Sequence, residues 1–580
     1  VVTPAGPRPL DGAWGRSAGD VAWLLLTAGL LAFVARCGVN FPFMDEWPMV
    51  SALTNAEPVR PWLFGWHNEH LLPLPRLVFW AAFQLGHDYR LAMVLSVALW
   101  SALARLLMAS ARAARGGPAQ SDALFPLLLL HPGQWENVLM SYQVGFALSA
   151  FLAGLSFTLI GSGRPTAWRV AAVAICVALL PGCGGHGLLF ASAGVGWLLV
   201  LLARRASEGS SRNDSAATLA LVGLLAFAAA ASLYAWYPGK PPPPADVPPL
   251  TGGRFVVGLL GFAAAGYGPA GVAAIPVSFV AVSLVGIGFV VTTWRTRREL
   301  LGPRGPAWAG SVAAVLAVTL LAAAIAYGRG RYNLASATFP RYVGLSALLP
   351  ASVALLCLRF TPGEFGARLP EAIAVLSLIA LPFNAWSGWG SGERLAEVQR
   401  SARAELAAGV PVEFVVRKYD FLIYNDPAAV TRFIAGYAAS GVGAFDRVTH
   451  EQPFAAVPLP PPTAGDNVRP LENGGWASTG REGSLTFDLP APRFASAVVI
   501  RGRYRYPAPW PPARATVGIR ATPGGPEVTQ TALAYRLPRG RDDSAILVWV
   551  NGPVASMRVS PDAHPWGFAV TSAELLVPAE

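Results

Sequence analysis

VAWLLLTAGLLAFVARCGVNFPFMDEWPMV, Val21 to Val50, changes character within thirty residues. It starts as an apolar run, passes Gly38, turns through Phe41-Pro42-Phe43, and ends on two adjacent carboxylates, Asp45 and Glu46. About 20 apolar residues span the hydrocarbon core of a bilayer. The stretch therefore reads as a membrane helix over 20–37 that opens at once into an acidic loop. No small-residue cleavage site precedes the acidic pair, so the helix reads as a retained span rather than a signal peptide.

The rest of the chain repeats the first half of this pattern. Of 580 residues, 53% are hydrophobic and 13% charged, where a soluble protein carries roughly a quarter charged residues. Further spans are expected near 91–110, 122–131, 142–160, 170–181, 187–203, 216–236, 271–293, 307–327, 342–360 and 370–386, which makes eleven. The four cysteines, Cys37, Cys176, Cys183 and Cys357, lie in or beside these runs and read as small apolar residues of the spans. Abundant Ala, Gly, Pro and Arg suggest a GC-rich bacterial genome.

The placement of charge gives the orientation. With the N-terminus in the cytoplasm, the inner segments hold 15 arginines in 75 residues, and the outer ones 8 basic residues in 116. Basic residues collect on the cytoplasmic side of membrane proteins, so the N-terminus is expected inside and the C-terminus outside the cytoplasmic membrane. The net charge of +11 matters through this placement, and no nucleic-acid partner is expected. The apolar segment 253–266 would reverse the orientation as a full span. It reads instead as a helix lying on or dipping into the outer leaflet.

Three domains follow: a membrane domain over 1–390, a helical extracytoplasmic connector over 391–456, and a β-sandwich over 457–580. In the connector, Leu395, Val398, Ala402 and Leu406 recur at helical spacing, and Asn425-Asp426-Pro427 reads as a cap and first-turn proline. After the proline-rich 457–465 come short alternating runs separated by turn residues, the signature of a sandwich. Trp476, Tyr504, Tyr506 and Trp510 are candidate glycan-facing aromatics of that domain, or packing residues.

Polar groups beside a bilayer are costly and mark function. They gather on the expected outer face. The first outer loop carries Asp45, Glu46, His67, Asn68, Glu69, His70 and Arg76. The second has His131, Gln134, Trp135, Glu136 and Asn137, and the third His186 within PGCGGHG. Arg329, Arg331, Arg341 and Tyr342 follow in GRGRYNLASATFPRY. Carboxylates suit proton abstraction from a hydroxyl, and arginines suit phosphate. Tryptophans 47, 62, 66 and 135 suit a sugar site or an interfacial belt. His67 and His70 stand three apart, with prolines at 73 and 75, a poor frame for a metal helix.

An acidic pair just after the first span, on the outer side, resembles the GT-C superfamily of polytopic membrane glycosyltransferases. HNEHLLPLPRL (67–77) and GRGRYNLASATFPRY (328–342) are similar to stretches of bacterial multi-span proteins of that kind. The resemblance implies a sugar donor linked to a polyprenyl phosphate, a glycan or lipid acceptor, and an outside C-terminal domain rich in β-structure. It implies Asp45 as general base with Glu46 as its partner, and an inverting transfer. Arg329, Arg331 or Arg341 would meet the donor phosphate. His67, Glu69, His70, Arg76, Glu136 and Tyr342 would bind or orient substrate. No cofactor is implied, and arginine can neutralise a lipid monophosphate without a divalent metal. The WWD-type motif of the metal-dependent oligosaccharyltransferase branch is absent from the sequence. The rival readings are a transporter or flippase of lipid-linked sugar, and a non-catalytic envelope assembly protein.

Overall fold

The structure, a computed structural model, describes residues 13–163, 165–207, 214–241, 249–331, 337–423, 426–442, 447–450, 453–471, 475–479, 483–504, 514–536, 543–561 and 568–579. Among them, nine helices are long and apolar enough to cross a bilayer. These are Ala18–Cys37, Tyr89–Arg115, Ser141–Ile160, Gly185–Ser207, Ser215–Trp236, Pro276–Leu301, Gly305–Arg329, Pro340–Phe360 and Glu364–Ala407. They leave Leu24, Leu25, Leu221, Val222, Leu225, Phe279, Ile287 and Val290 exposed. A water-soluble bundle would bury such side chains; a bilayer solvates them. The chain is a multi-pass α-helical membrane protein carrying a C-terminal β-region.

Two expected spans are shorter than a crossing. Residues 170–181 belong to the helix Ala167–Leu179, which ends in a 3₁₀ turn at Leu180–Cys183. Residues 122–131 form a 3₁₀ turn, Gln120–Ala123, and a six-residue helix, Leu124–Leu129. Pro126 and Pro132 break this run, and Leu124 to Leu130 are buried in protein. Core leucines and lipid-facing leucines look alike in a hydropathy plot.

The last span differs in the opposite sense. Pro382 does not end it: one helix runs the 44 residues from Glu364 to Ala407, with Pro370 and Pro382 inside. A membrane helix tolerates an interior proline because neighbours re-satisfy the freed carbonyl. The first connector helix is therefore the end of the last span. Segment 253–266 is a separate helix, Gly252–Ala265. It buries Gly258 and Phe262 and exposes Val256, Val257 and Leu260.

The chain divides into two compact units. One holds residues 1–40 and 57–396; the other joins 41–56 to 397–580. In the second unit, the helix Val412–Ile423 follows the long helix, and Pro427–Ala439 opens with Asp426 accepting the amide of Ala429 at 3.0 Å. Nine strands of this unit pair into one antiparallel network. Its order is Val468–Pro470, Trp476–Ser478, Phe568–Pro578, Ser484–Tyr504, Asp543–Pro561, Arg514–Arg520, Glu527–Arg536. Phe454–Pro458 and Ala464–Asp466 pair off that path. The β-region expected after the proline-rich stretch is present, its strands hydrogen-bonded into one connected network. The long strand Asp543–Pro561 carries irregularities between Trp549 and Gly552 and between Val554 and Ser556, where a strand can bend and change partners. Leu485, Val498, Ile500, Val517, Ile546, Val548, Met557 and Leu575 form its core. Phe414 meets Trp549 edge-on, with ring centroids 5.3 Å apart.

Candidate functional site

The acidic pair lies in the second unit. Met44 takes a positive φ of 50° and starts a 3₁₀ helix, Met44–Met49. Glu46 in its first turn is fully buried and accepts the Phe43 amide at 2.8 Å. That contact satisfies one of the donors a helix N-terminus leaves open. Asp45 is half-buried. Gln399 holds the same segment by donating to the Phe41 carbonyl at 2.9 Å. Glu46 therefore sets the turn that presents Asp45.

The remaining candidates belong to the first unit. His67 and His70 are register partners in a two-stranded hairpin, Trp66–His67 with His70–Leu71, turned at Asn68 and Glu69. Asn68 supplies the positive φ, 50°, that such a turn demands. The two imidazoles have different neighbours. His67 packs on Tyr142, with ring centroids 5.4 Å apart. His70 has its Nδ1 3.5 Å from the Tyr234 hydroxyl and its Nε2 3.5 Å from Glu69. Arg329 bonds Glu69 at 3.3 Å. Burial lowers the His70 pKa, against the pull of Glu69 and with the help of Arg329, His67 and Lys240. Among the described residues, no group of three or more His, Cys, Asp or Glu could hold a metal ion.

Arg76 has a different job. It is buried and donates to the carbonyls of Trp62, Gly65 and Trp66, the first by a very short contact and the second at 2.6 Å. Its guanidinium lies 5.2 Å from the Trp62 ring. It ties down the turn that leads into the hairpin.

The second polar stretch, 131–143, is buried almost throughout. Gln134 donates to the Leu129 carbonyl, and Asn137 to Gln134 at 3.3 Å. Both ring nitrogens of His131 are buried without a hydrogen-bond partner among the described residues, and burial pushes its pKa down to about 4. Glu136 reaches out of this stretch to Arg341, 3.8 Å away. Trp47, Trp62 and Trp135 are buried packing residues, whereas Trp66 donates to the Pro238 carbonyl at 3.0 Å.

Rings join the two charged pairs. Tyr342 stacks on Phe146 at 6.1 Å, and Phe146 meets His186 edge-on at 4.9 Å. A methyl placed on Gly185 would stand 3.4 Å from the Tyr234 hydroxyl and 3.7 Å from the His70 ring. The first unit thus brings His67, Glu69, His70, His186, Arg329, Glu136, Arg341 and Tyr342 into one neighbourhood at the ends of helices. Arg331 lies 4.0 Å over the Tyr327 ring. Tyr234, Tyr142, Phe146 and Lys240 join this neighbourhood without any sequence signal, since tyrosines at span ends are commonplace. In the β-region, Trp476 packs against the core. The side chain of Tyr504, with Tyr506 and Trp510, lies outside the described residues.

No protein-family model matches the chain, and no curated protein matches it. Among solved structures it is similar to the arabinosyltransferase EmbB from Mycobacterium smegmatis, at 13% identity and a TM-score of 0.33. That likeness covers 100% of this chain and 66% of the arabinosyltransferase, so the chain spans just under two thirds of its length. It is also similar to BtGH115A, a family GH115 4-O-methyl-alpha-glucuronidase with specificity for decorated arabinogalactans. There identity is 12% and the TM-score 0.15, over 40% of this chain and 32% of that one. At these scores neither likeness fixes the fold or the function.

Proposed function

We propose that the chain is a membrane glycosyltransferase of the GT-C kind, moving a sugar from a polyprenyl-phosphate donor to a glycan or lipid acceptor outside the cytoplasm. The observation that carries this reading is the pairing of arginine with carboxylate and imidazole in one unit: Arg329 with Glu69 and His70, and Arg341 with Glu136. Planar guanidinium groups bind phosphate oxygens, and nearby carboxylates and imidazoles orient sugar hydroxyls.

In this reading Asp45 takes the proton of the acceptor hydroxyl. The acceptor oxygen attacks the anomeric carbon, the bond from that carbon to the phosphate oxygen breaks, and the configuration inverts. The charge that develops on the departing polyprenyl phosphate is stabilised by arginine. No metal or cofactor enters the step.

The test is transfer by the purified full chain in nanodiscs, given radiolabelled polyprenyl-phosphate sugars and a panel of glycan acceptors. Transfer by the native chain, lost by a hundredfold or more in Asp45→Asn with unchanged thermal stability, is the expected result. Donor movement across a proteoliposome membrane without transfer would replace the enzyme by a flippase. Neither activity, with Asp45→Asn tolerated in cells, would leave an assembly protein.

A further inference from the structure

The helix Ile275–Thr296 ends in a 3₁₀ turn, Arg297–Leu301, within the segment expected on the inner face. Residues 294–304 hold four arginines, Arg295, Arg297, Arg298 and Arg304, against one carboxylate, Glu299, a net charge of +3. The neighbouring Glu364 pairs with Arg368 at 2.9 Å and adds no net charge. Orientation in the membrane asks an inner loop for basic residues, but for no particular mounting of them. Here they are mounted. Arg297 lies 4.0 Å from the Trp294 ring centroid, Arg304 4.6 Å from that of Phe360, and Arg295 5.3 Å from that of Phe365. A ring face holds a guanidinium and leaves N–H groups open to other acceptors. Arg297 gives one to the Trp294 carbonyl at 2.7 Å, and Arg304 one to the Arg359 carbonyl. Arg298 bonds none of the described residues. Arg204 fixes the turn itself, donating to the carbonyls of Leu300 at 3.0 Å and Gly302 at 2.8 Å.

Apolar side chains share this basic turn. Trp294 is 66% exposed and Leu301 90%. Residues three apart in a 3₁₀ turn eclipse, so Arg297 stands in line with Leu300, and Arg298 with Leu301. Ahead of the turn, Ile287, Val290 and Trp294 are exposed at helical spacing. One stripe of the helix is therefore apolar as far as Trp294 and cationic immediately after it. Water would suit the arginines and not Leu301. A bilayer interface suits both, with acyl chain beside the stripe and an anionic headgroup against the guanidinium groups.

We propose that this turn is a binding site for an anionic phospholipid. Its phosphate takes N–H groups of Arg297 and Arg298, and its acyl chains lie along Ile287, Val290 and Trp294. A zwitterionic lipid fits the stripe but brings no net charge to meet the surplus of arginine. The helix Gly305–Arg329, 25 residues long, puts about 37 Å between this turn and Arg329. The site is therefore separate from the residues assigned to sugar transfer and does not depend on that reading.

The experiment places the full chain in phosphatidylcholine nanodiscs with a rising fraction of phosphatidylglycerol. The phosphatidylglycerol carries bromine on its acyl chains, which quenches nearby tryptophan. Subtracting the quenching seen in Trp294→Phe isolates the signal of Trp294. Half-maximal quenching should need about a fivefold lower fraction of brominated phosphatidylglycerol than of equally brominated phosphatidylcholine. In Arg297→Gln/Arg298→Gln the preference should fall below about twofold. Arg298→Gln alone, which removes no bond to a described residue, should fall between, and serves where the double variant has a lowered thermal midpoint. Equal quenching by both lipids in the native chain would overturn the site and leave the arginines to orientation alone. A preference kept in full by both variants would place the anionic lipid elsewhere and overturn the assignment to these arginines. Loss of the preference on adding inorganic phosphate at constant ionic strength would make this a free-anion site and overturn the lipid assignment.

Discussion

A charge near a membrane can serve the fold without ever touching substrate, and Arg76 illustrates how. Three backbone carbonyls, of Trp62, Gly65 and Trp66, receive its N–H groups. Taking it away removes three hydrogen bonds at a buried or half-buried turn, which costs about 1–3 kcal/mol. Arg76→Gln should therefore lower stability by about 2 kcal/mol, seen as an earlier thermal midpoint in detergent. An unchanged midpoint would return Arg76 to the pool of substrate contacts. His131 makes the complementary case. Both of its nitrogens are buried and unpartnered among the described residues, so it folds in as the neutral ring. Burial takes its pKa from the ordinary 6.5 down to about 4. Between those values the unfolded chain binds the proton and the folded chain does not, so folding loses stability as pH drops. The full stability is present above pH 6.5 and is spent progressively toward pH 4. Thermal midpoints measured at pH 7.5 and pH 5 should differ by less in His131→Leu than in the native chain. A difference equal in both would place the acid sensitivity elsewhere.

At the scale of the element, small residues decide which loops can meet. Gly184 has φ +97°, and a methyl there would stand 2.6 Å from the Leu72 side chain. A methyl on Gly145 would stand 2.9 Å from the Pro75 ring. PGCGGHG and HNEHLLPLP therefore touch, and the contact places His186 and His70 on one side of the first unit. Gly184→Ala adds backbone strain of about 1–3 kcal/mol and a clash. The expected outcome is a lower thermal midpoint together with weaker polyprenyl-phosphate binding; a midpoint within error of the native one would show that the loops yield. Capping works in the same local way. Asp426 accepts the Ala429 amide, and Asp426→Ala should cost about 1 kcal/mol. This cap was readable from Asn425-Asp426-Pro427, because a cap and a first-turn proline act within four residues. The buried turn and short helix over 120–129 were not readable as such. Leucines in a protein core and leucines against lipid have one hydropathy and different neighbours.

Across the whole molecule, nine of the eleven spans expected from the apolar runs are helices long and apolar enough to cross, because a bilayer asks only for length and composition. The pairing of the outer loops was partly legible: histidine, carboxylate and arginine are conspicuous beside lipid, and the structure joins Glu69, His70 and Arg329, then Glu136 and Arg341. What no local pattern could reveal is the company kept by the acidic pair. Segment 41–56 groups with 397–580, some 350 residues away along the chain. Trp47, Met49, Val50 and Leu53 are buried there, and Gln399 bonds the Phe41 carbonyl. The C-terminal unit is then part of what shapes the Asp45 turn, beyond any role in binding glycan. A chain ending at Ala396 would keep all nine membrane helices as far as that residue and strip the apolar side of 41–56 of its cover. Such a chain should insert into membranes yet be cut by proteinase K within 41–56, at a protease concentration that leaves the same segment of the full chain intact. Equal protection in both chains would mean that 41–56 folds without the C-terminal unit, and would detach the acidic pair from it.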